Sequence, residues 1–227
     1  MGWRRSRRRW RRSEDVHRAP LLVSVATEPL WMSESYSRWH DALAGYDAAI
    51  AAVPSGRLRA HEMWYHSELP ALIASRAPSY VLHEEMVRIT EWKMTRGVWR
   101  APNLVLVRSN APDDVINASR AAWQQLPHPT KPITALVALK GVGAATASAL
   151  LAVMAPAIYP FFDEDVAAQV PQLGPVAWTN GYYAKYAVAL RERSVQLSAT
   201  FTREFTPVMV ERALWATRRP LQKDALA

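Results

Sequence analysis

From Tyr36 onward, apolar positions along the chain recur at helical rather than strand spacing. Trp39, Ala42, Leu43, Tyr46, Ala49 and Ile50 define one such face, and Pro54-Ser55-Gly56 interrupts it. The pattern predicts a second helix over His61–Ser75, kinked or broken at Pro70, and a long one over Ser79–Arg96 that stops at Gly97. On that long helix Met86, Ile89, Lys93 and Met94 line one side. Shorter helices are expected over Asn103–Arg108 and from Pro112-Asp113-Asp114 to Leu126. After a linker at 128–132 come two helices, Ile133–Leu139 and Ala144–Met154, joined through Gly141-Val142-Gly143. A further helix follows Asp163, and Tyr182–Leu197 and Val208–Thr217 complete the set. No run alternates with period two and no segment repeats, so the expected fold class is mainly α.

Composition changes this picture in three ways. About half of the 227 residues are hydrophobic, enough for one sizeable core. There is no Cys, which excludes disulfides, thiolate zinc sites, cysteine-ligated iron–sulfur clusters and cysteine nucleophiles. The net charge of +8 is uneven: residues 1–12 hold seven Arg, and without them the chain carries +1. A nucleic-acid surface on the body must therefore come from local arrangement. Residues 1–34 read as a basic, disordered tail and connector, and residues 35–227 as one all-α domain. No apolar run is long enough for a membrane span and no secretory signal is evident. The chain is thus read as intracellular, with nucleus or nucleoid open and protein partners undefined.

The segment Leu139-Lys140-Gly141-Val142-Gly143-Ala144-Ala145-Thr146-Ala147 has its own chemical logic. Two glycines around one apolar residue make a tight turn, and Val142 can plug between the flanking helices. The amides that open the second helix are left without helical partners, an arrangement that accepts a phosphate oxygen. Lys140 either meets phosphate or is a solvated charge at a helix end.

This segment resembles the hairpin of the helix-hairpin-helix DNA glycosylase superfamily, most nearly its adenine DNA glycosylase branch. Thr146-Ala147, the run SALLAVMAPAIYPFF and then Asp163-Glu164-Asp165-Val166 follow in the spacing of that branch, so the resemblance covers about 38 residues, Ile133–Val170. It implies a helical glycosylase-like domain with the hairpin at 133–154, DNA as partner, and a phosphate contact at Lys140, Gly141, Val142, Gly143, Ala145 and Thr146. It also implies a monovalent cation at the hairpin. Asp163 would be the catalytic carboxylate, offsetting cationic charge on the sugar as a flipped-out base departs. Bifunctional members carry a Schiff-base Lys at the position of Ala145, so the resemblance implies a monofunctional enzyme. No metal and no iron–sulfur cluster are expected. Trp64–Pro70, Glu91-Trp92-Lys93, Arg96-Gly97 and Ser109-Asn110 resemble instead a set of uncharacterised proteins that share the hairpin.

Other readings stay open. Asp163 is also a good helix N-cap. Glu62, Glu68, Glu84, Glu85 and Glu91 are equivalent candidates for a general acid, and each reads as well as a surface carboxylate. Trp92, Trp99, Trp178, Tyr182, Tyr183 and Tyr186 are candidates for base stacking and equally for core. Lys185, Arg191 and Arg193 lie along one late helix, as a solvated face or as phosphate contacts. His61-Glu62-Met63-Trp64-Tyr65-His66 is one residue too long for a zinc-protease motif, and the glycines after a helix do not make a dinucleotide fingerprint. The alternatives to an enzyme are a DNA-binding module without catalysis and a structural or protein-interaction domain.

Overall fold

The structure, a computed structural model, describes residues 28–53 and 56–219. The Arg-rich tail, Pro54-Ser55 and residues 220–227 lie outside the described residues. Among those described, helices account for every regular element: α1 (Tyr36–Ala44), α2 (Tyr46–Ala51), α3 (Arg57–Met63), α4 (Leu69–Ala74), α5 (His83–Arg96), α6 (Ala101–Arg108), α7 (Pro112–Gln124), α8 (Lys131–Leu136), α9 (Ala144–Met154), α10 (Glu164–Ala167), α11 (Asn180–Phe201) and α12 (Pro207–Thr217). None of them is long and apolar enough to cross a membrane.

The helices form two groups. One gathers α1, α2, α10 and α11 around α12; the other gathers α3, α4, α6, α7, α8 and α9 around α5 and its neighbours. Helix α9 explains how the second group closes. It is buried from Ala144 to Ala152, with six small residues, Ala, Thr or Ser, in its first six positions. Such a helix has no polar face to turn outward and lets neighbouring backbones approach on all sides. Tyr65 and Trp92 stack at 3.6 Å in the core, and Trp39, Trp92 and Trp215 are fully buried.

Several helices differ in extent from the periodicity. The face from Trp39 to Ile50 is split at Gly45 into α1 and α2. The span His61–Ser75 becomes α3, a π-helical turn at Trp64–Glu68 and α4, with Pro70 in the first turn of α4 where its missing N–H costs nothing. Helix α5 starts at His83 rather than Ser79, because Glu85 Oε2 accepts from Leu82 N at 2.8 Å and Val81 N is taken by Ser119 Oγ at 3.1 Å. The helix after Asp163 is a single turn, whereas α11 runs longer than its apolar spacing predicts. In the connector, Leu30 and Trp31 are buried, and Ser33 O accepts from Trp39 Nε1 at 2.8 Å.

Candidate functional site

A cavity of about 530 Å³ opens where the two groups meet. Its walls come from the C-terminal end of α5 and the adjoining connection to α6 (Lys93, Arg96, Arg100), the start of α9 (Gly143–Thr146), the stretch Phe161–Asp165, Trp178 and Arg219. That size falls within the range of small-molecule sites.

The turn between α8 and α9 is fixed by its neighbours. Gly141 has φ +74°, and a Cβ there would lie 2.5 Å from Asn103 O. Val142 is buried and its N–H donates to Leu139 O at 3.2 Å. Asn110 clamps Lys140 from the side: its Oδ1 accepts from Lys140 N at 2.8 Å and its Nδ2 donates to Lys140 O at 3.0 Å. The Lys140 side chain itself is exposed. Asn110→Ala is expected to cost about 1–3 kcal/mol, since it strands two part-buried backbone groups. Urea denaturation of both proteins measures this, and a loss below that range would mean the turn holds without its clamp.

Gly143 is exposed in extended backbone (φ −99°, ψ −177°), and no side chain caps α9. Its first-turn amides therefore lack helical acceptors at the cavity wall formed by Gly143, Ala144, Ala145 and Thr146. Ala145 and Thr146 are otherwise buried.

Asp163 reaches the same cavity from another direction. The extended stretch before it is held on both sides: Ser148 Oγ of α9 accepts from Phe162 N at 2.9 Å, and from α11 the Tyr183 and Tyr186 hydroxyls donate to Pro160 O and Phe161 O at 3.1 and 2.8 Å. Asp163 caps α10, accepting at Oδ1 from Asp165 N at 2.9 Å and Val166 N at 3.4 Å. Its Oδ2 is 3.7 Å from Arg96 Nη2. Burial pushes the Asp163 carboxyl above its ordinary value, against the pull of Arg96.

Behind Asp163 lies a charge network that crosses the core. Arg96 is buried among the rings of Trp215, Phe161, Trp92 and Tyr46, with its guanidinium carbon 4.5–5.9 Å from their centroids. Its Nη2 donates to Glu211 Oε1 at 2.6 Å and its Nη1 to Tyr46 OH at 3.3 Å. Burial pushes the Glu211 carboxyl up to about 7, despite Arg96. Glu62 accepts from Tyr46 OH at 2.5 Å and Trp92 Nε1 at 2.6 Å, and His66 Nε2 is 2.7 Å away. Burial alone raises the Glu62 carboxyl, but His66, Arg96 and Tyr46 outweigh it and hold it at about 2. One buried cation thus serves three carboxylates, and Asp163 is the one that lines the cavity.

The remaining candidates separate clearly. Of the five glutamates, Glu62 enters this network, Glu85 pairs with Arg76 at 2.6 Å and Glu91 with Arg108 at 2.8 Å. Trp92, Tyr182, Tyr183 and Tyr186 are core, whereas Trp178 is about half exposed at 48% and lines the cavity. Trp99 is exposed away from the cavity wall. Arg191 and Arg193 donate to Ile158 O and Ser33 O, at 3.2 and 2.7 Å, so they hold backbone instead. No cluster of metal-ligating side chains forms among the described residues. The sequence reasoning missed Glu211 and Arg219 and gave Arg96 no role. A charged residue inside an apolar helical face, such as Glu211 between Val210 and Ala213-Leu214, is the signal that could have found one of them.

No protein-family model, curated protein or solved structure matches this chain.

Proposed function

We propose that this chain is a helix-hairpin-helix protein that binds DNA and hydrolyses an N-glycosidic bond in base excision, leaving an abasic site. The observation that carries this reading is that Asp163 and the uncapped start of α9 line one cavity. On this reading the turn at Lys140–Gly143 and the first amides of α9, at Ala145 and Thr146, take a backbone phosphate, with a monovalent cation at the turn. A flipped-out nucleobase enters the cavity against Trp178. The Asp163 carboxylate faces the anomeric carbon and offsets the positive charge that grows there as the base leaves. Arg96 keeps that carboxylate oriented and opposes the effect of burial, favouring the ionised form that this role needs. Such an activity belongs inside the cell, with its DNA.

A second reading has its own support. Asp163 Oδ1 is occupied by two backbone amides, as in any N-cap, which suits a DNA-binding module without catalysis. The two readings part on Asp163→Asn, which keeps a capping oxygen. With the full chain on duplexes bearing a panel of damaged and mismatched bases, alkali-sensitive sites measure base release. Asp163→Asn is expected to lower release by roughly 100-fold or more while salt-dependent binding stays. Release at the unmodified rate in the variant would remove Asp163 from the chemistry. Binding without release in either protein would leave the module.

A further inference from the structure

Two cations of the cavity, Lys93 and Arg100, have no carboxylate within ion-pair distance among the described residues. Lys93 stands on α5, three residues before Arg96, so both side chains leave the helix on the same side. Its Nζ lies over the ring of Trp178, 6.0 Å from the centroid, so a base stacked against Trp178 brings its edge to the ammonium. The carboxylates nearby are occupied or exposed: Asp163 Oδ1 accepts from two amides, Asp165 Oδ2 accepts from Arg219 Nη1 at 2.7 Å, and Glu164 is exposed. Burial and Arg100 together press the Lys93 ammonium below the ordinary lysine value, and Asp163 and Glu164 only partly oppose them. Such an ammonium gains when a further negative charge arrives beside it.

A base that leaves by C1′–N cleavage carries the bonding pair away with it. It either takes a proton from an acid first or departs as an anion that a cation steadies. None of the five candidate glutamates lines the cavity. Glu62 is held ionised in the core network, Glu85 and Glu91 are in ion pairs, and Glu68 and Glu84 are exposed. The cavity therefore suits the second route.

We infer that Lys93 selects a 2,4-dioxopyrimidine, the uracil type of base, by donating from Nζ to a ring carbonyl oxygen and steadying the negative charge that collects there as the base departs. This inference rests on the proposed glycosylase function. In the step, the C1′–N1 pair goes to N1 and spreads onto O2 and O4. Water adds its oxygen to C1′ and gives a proton to the Asp163 carboxylate. That proton passes through solvent to N1, so the products are the free base and the abasic sugar. Adenine suits this arrangement poorly. Its edge presents an amino group, a donor facing a donor, and its departure needs a protonated ring. The hairpin resembles that of adenine glycosylases, but Lys93 lies on α5, outside the matched stretch, so the choice of base is made by a different part of the chain.

The experiment measures base release by the full chain from duplexes that differ only in carrying uracil, 5-fluorouracil or adenine opposite guanine. Uracil and 5-fluorouracil should be released and adenine should not. This comparison uses the unsubstituted protein and needs no variant to fold. Lys93→Met should lower the single-turnover rate on uracil by roughly 100-fold, and Lys93→Arg should recover part of it by restoring a cationic donor. The loss in Lys93→Met should be smaller on 5-fluorouracil, whose fluorine already steadies the departing anion; a merely structural role would affect both bases equally. Adenine released as fast as uracil, full uracil release by Lys93→Met, or equal losses on the two pyrimidines would each overturn the inference and leave base hydrolysis standing. No release from any of the three duplexes would overturn the inference, and failure across the wider panel of damaged bases would remove the hydrolytic reading with it.

Discussion

Arg96→Met is expected to cost about 3–5 kcal/mol of folding stability, the usual consequence of removing one partner from a buried ion pair. The guanidinium is 2.6 Å from Glu211 and 3.7 Å from Asp163, and both carboxylates are nearly inaccessible to water. Methionine fills a similar volume among the four rings, so the loss reports charge more than packing. The deficit depends on pH. Burial holds the Glu211 pKa at about 7, above its unfolded value near 4.5, so the folded state binds the extra proton between those limits. A carboxyl raised in this way contributes stability that is fully present below the unfolded value and is lost as pH rises through the folded one. Without Arg96 the folded pKa rises further, so the deficit of the variant should widen between pH 5 and pH 8 on the order of another kcal/mol. Urea denaturation at the two pH values measures both effects. Arg96→Met combined with Glu211→Gln should recover part of the loss at pH 8. A deficit of the same size at both pH values would mean that Glu211 does not carry it.

Gly141→Ala is expected to destabilise the fold by about 3 kcal/mol or more, from two additive causes. At φ +74° an L side chain is strained by about 1–2 kcal/mol. The added Cβ also meets the α6 backbone, at 2.5 Å from Asn103 O and 2.9 Å from Val107 N, with Leu106 Cβ at 2.8 Å, and pushing a packed helix away costs about 1–3 kcal/mol more. Gly143→Ala is the internal comparison. Its Cβ would meet nothing within 4 Å and its φ is ordinary, so stability should change by no more than about 0.5 kcal/mol. That same Cβ would stand on the exposed lip of the cavity, where the proposed phosphate approaches. Gly143→Ala should therefore weaken duplex binding while Gly141→Ala weakens folding. Equal thermal shifts in the two variants would dissolve the distinction between a glycine required by packing and one required by access.

Much of the fold was legible in the chain because helical periodicity is local. The spacing of Met86, Ile89 and Met94 along α5 follows from one turn of backbone geometry, whatever lies on the other side. The turn at Gly141–Gly143 was legible for the same reason, since few residues other than glycine take the backbone conformation that it needs. Helix limits were less so. The start of α5 depends on Ser119 taking the Val81 amide from 38 residues away, and the burial of Leu30 and Trp31 depends on helices that come later in the chain.

The site divides along the same line. The sequence by itself determined that the protein is helical, that a glycine turn precedes a small-residue helix, and that Asp163 opens a helix shortly after it. Each is a statement about neighbours in the chain. Only the tertiary structure decided that Asp163 shares a buried cation with Glu211, 115 residues beyond Arg96, and that Lys93 and Trp178 line its cavity. Residue type constrains what an isolated segment does, but electrostatics and shape depend on distances through space. Those distances are set by how α5, α9 and α12 pack, which no local pattern encodes.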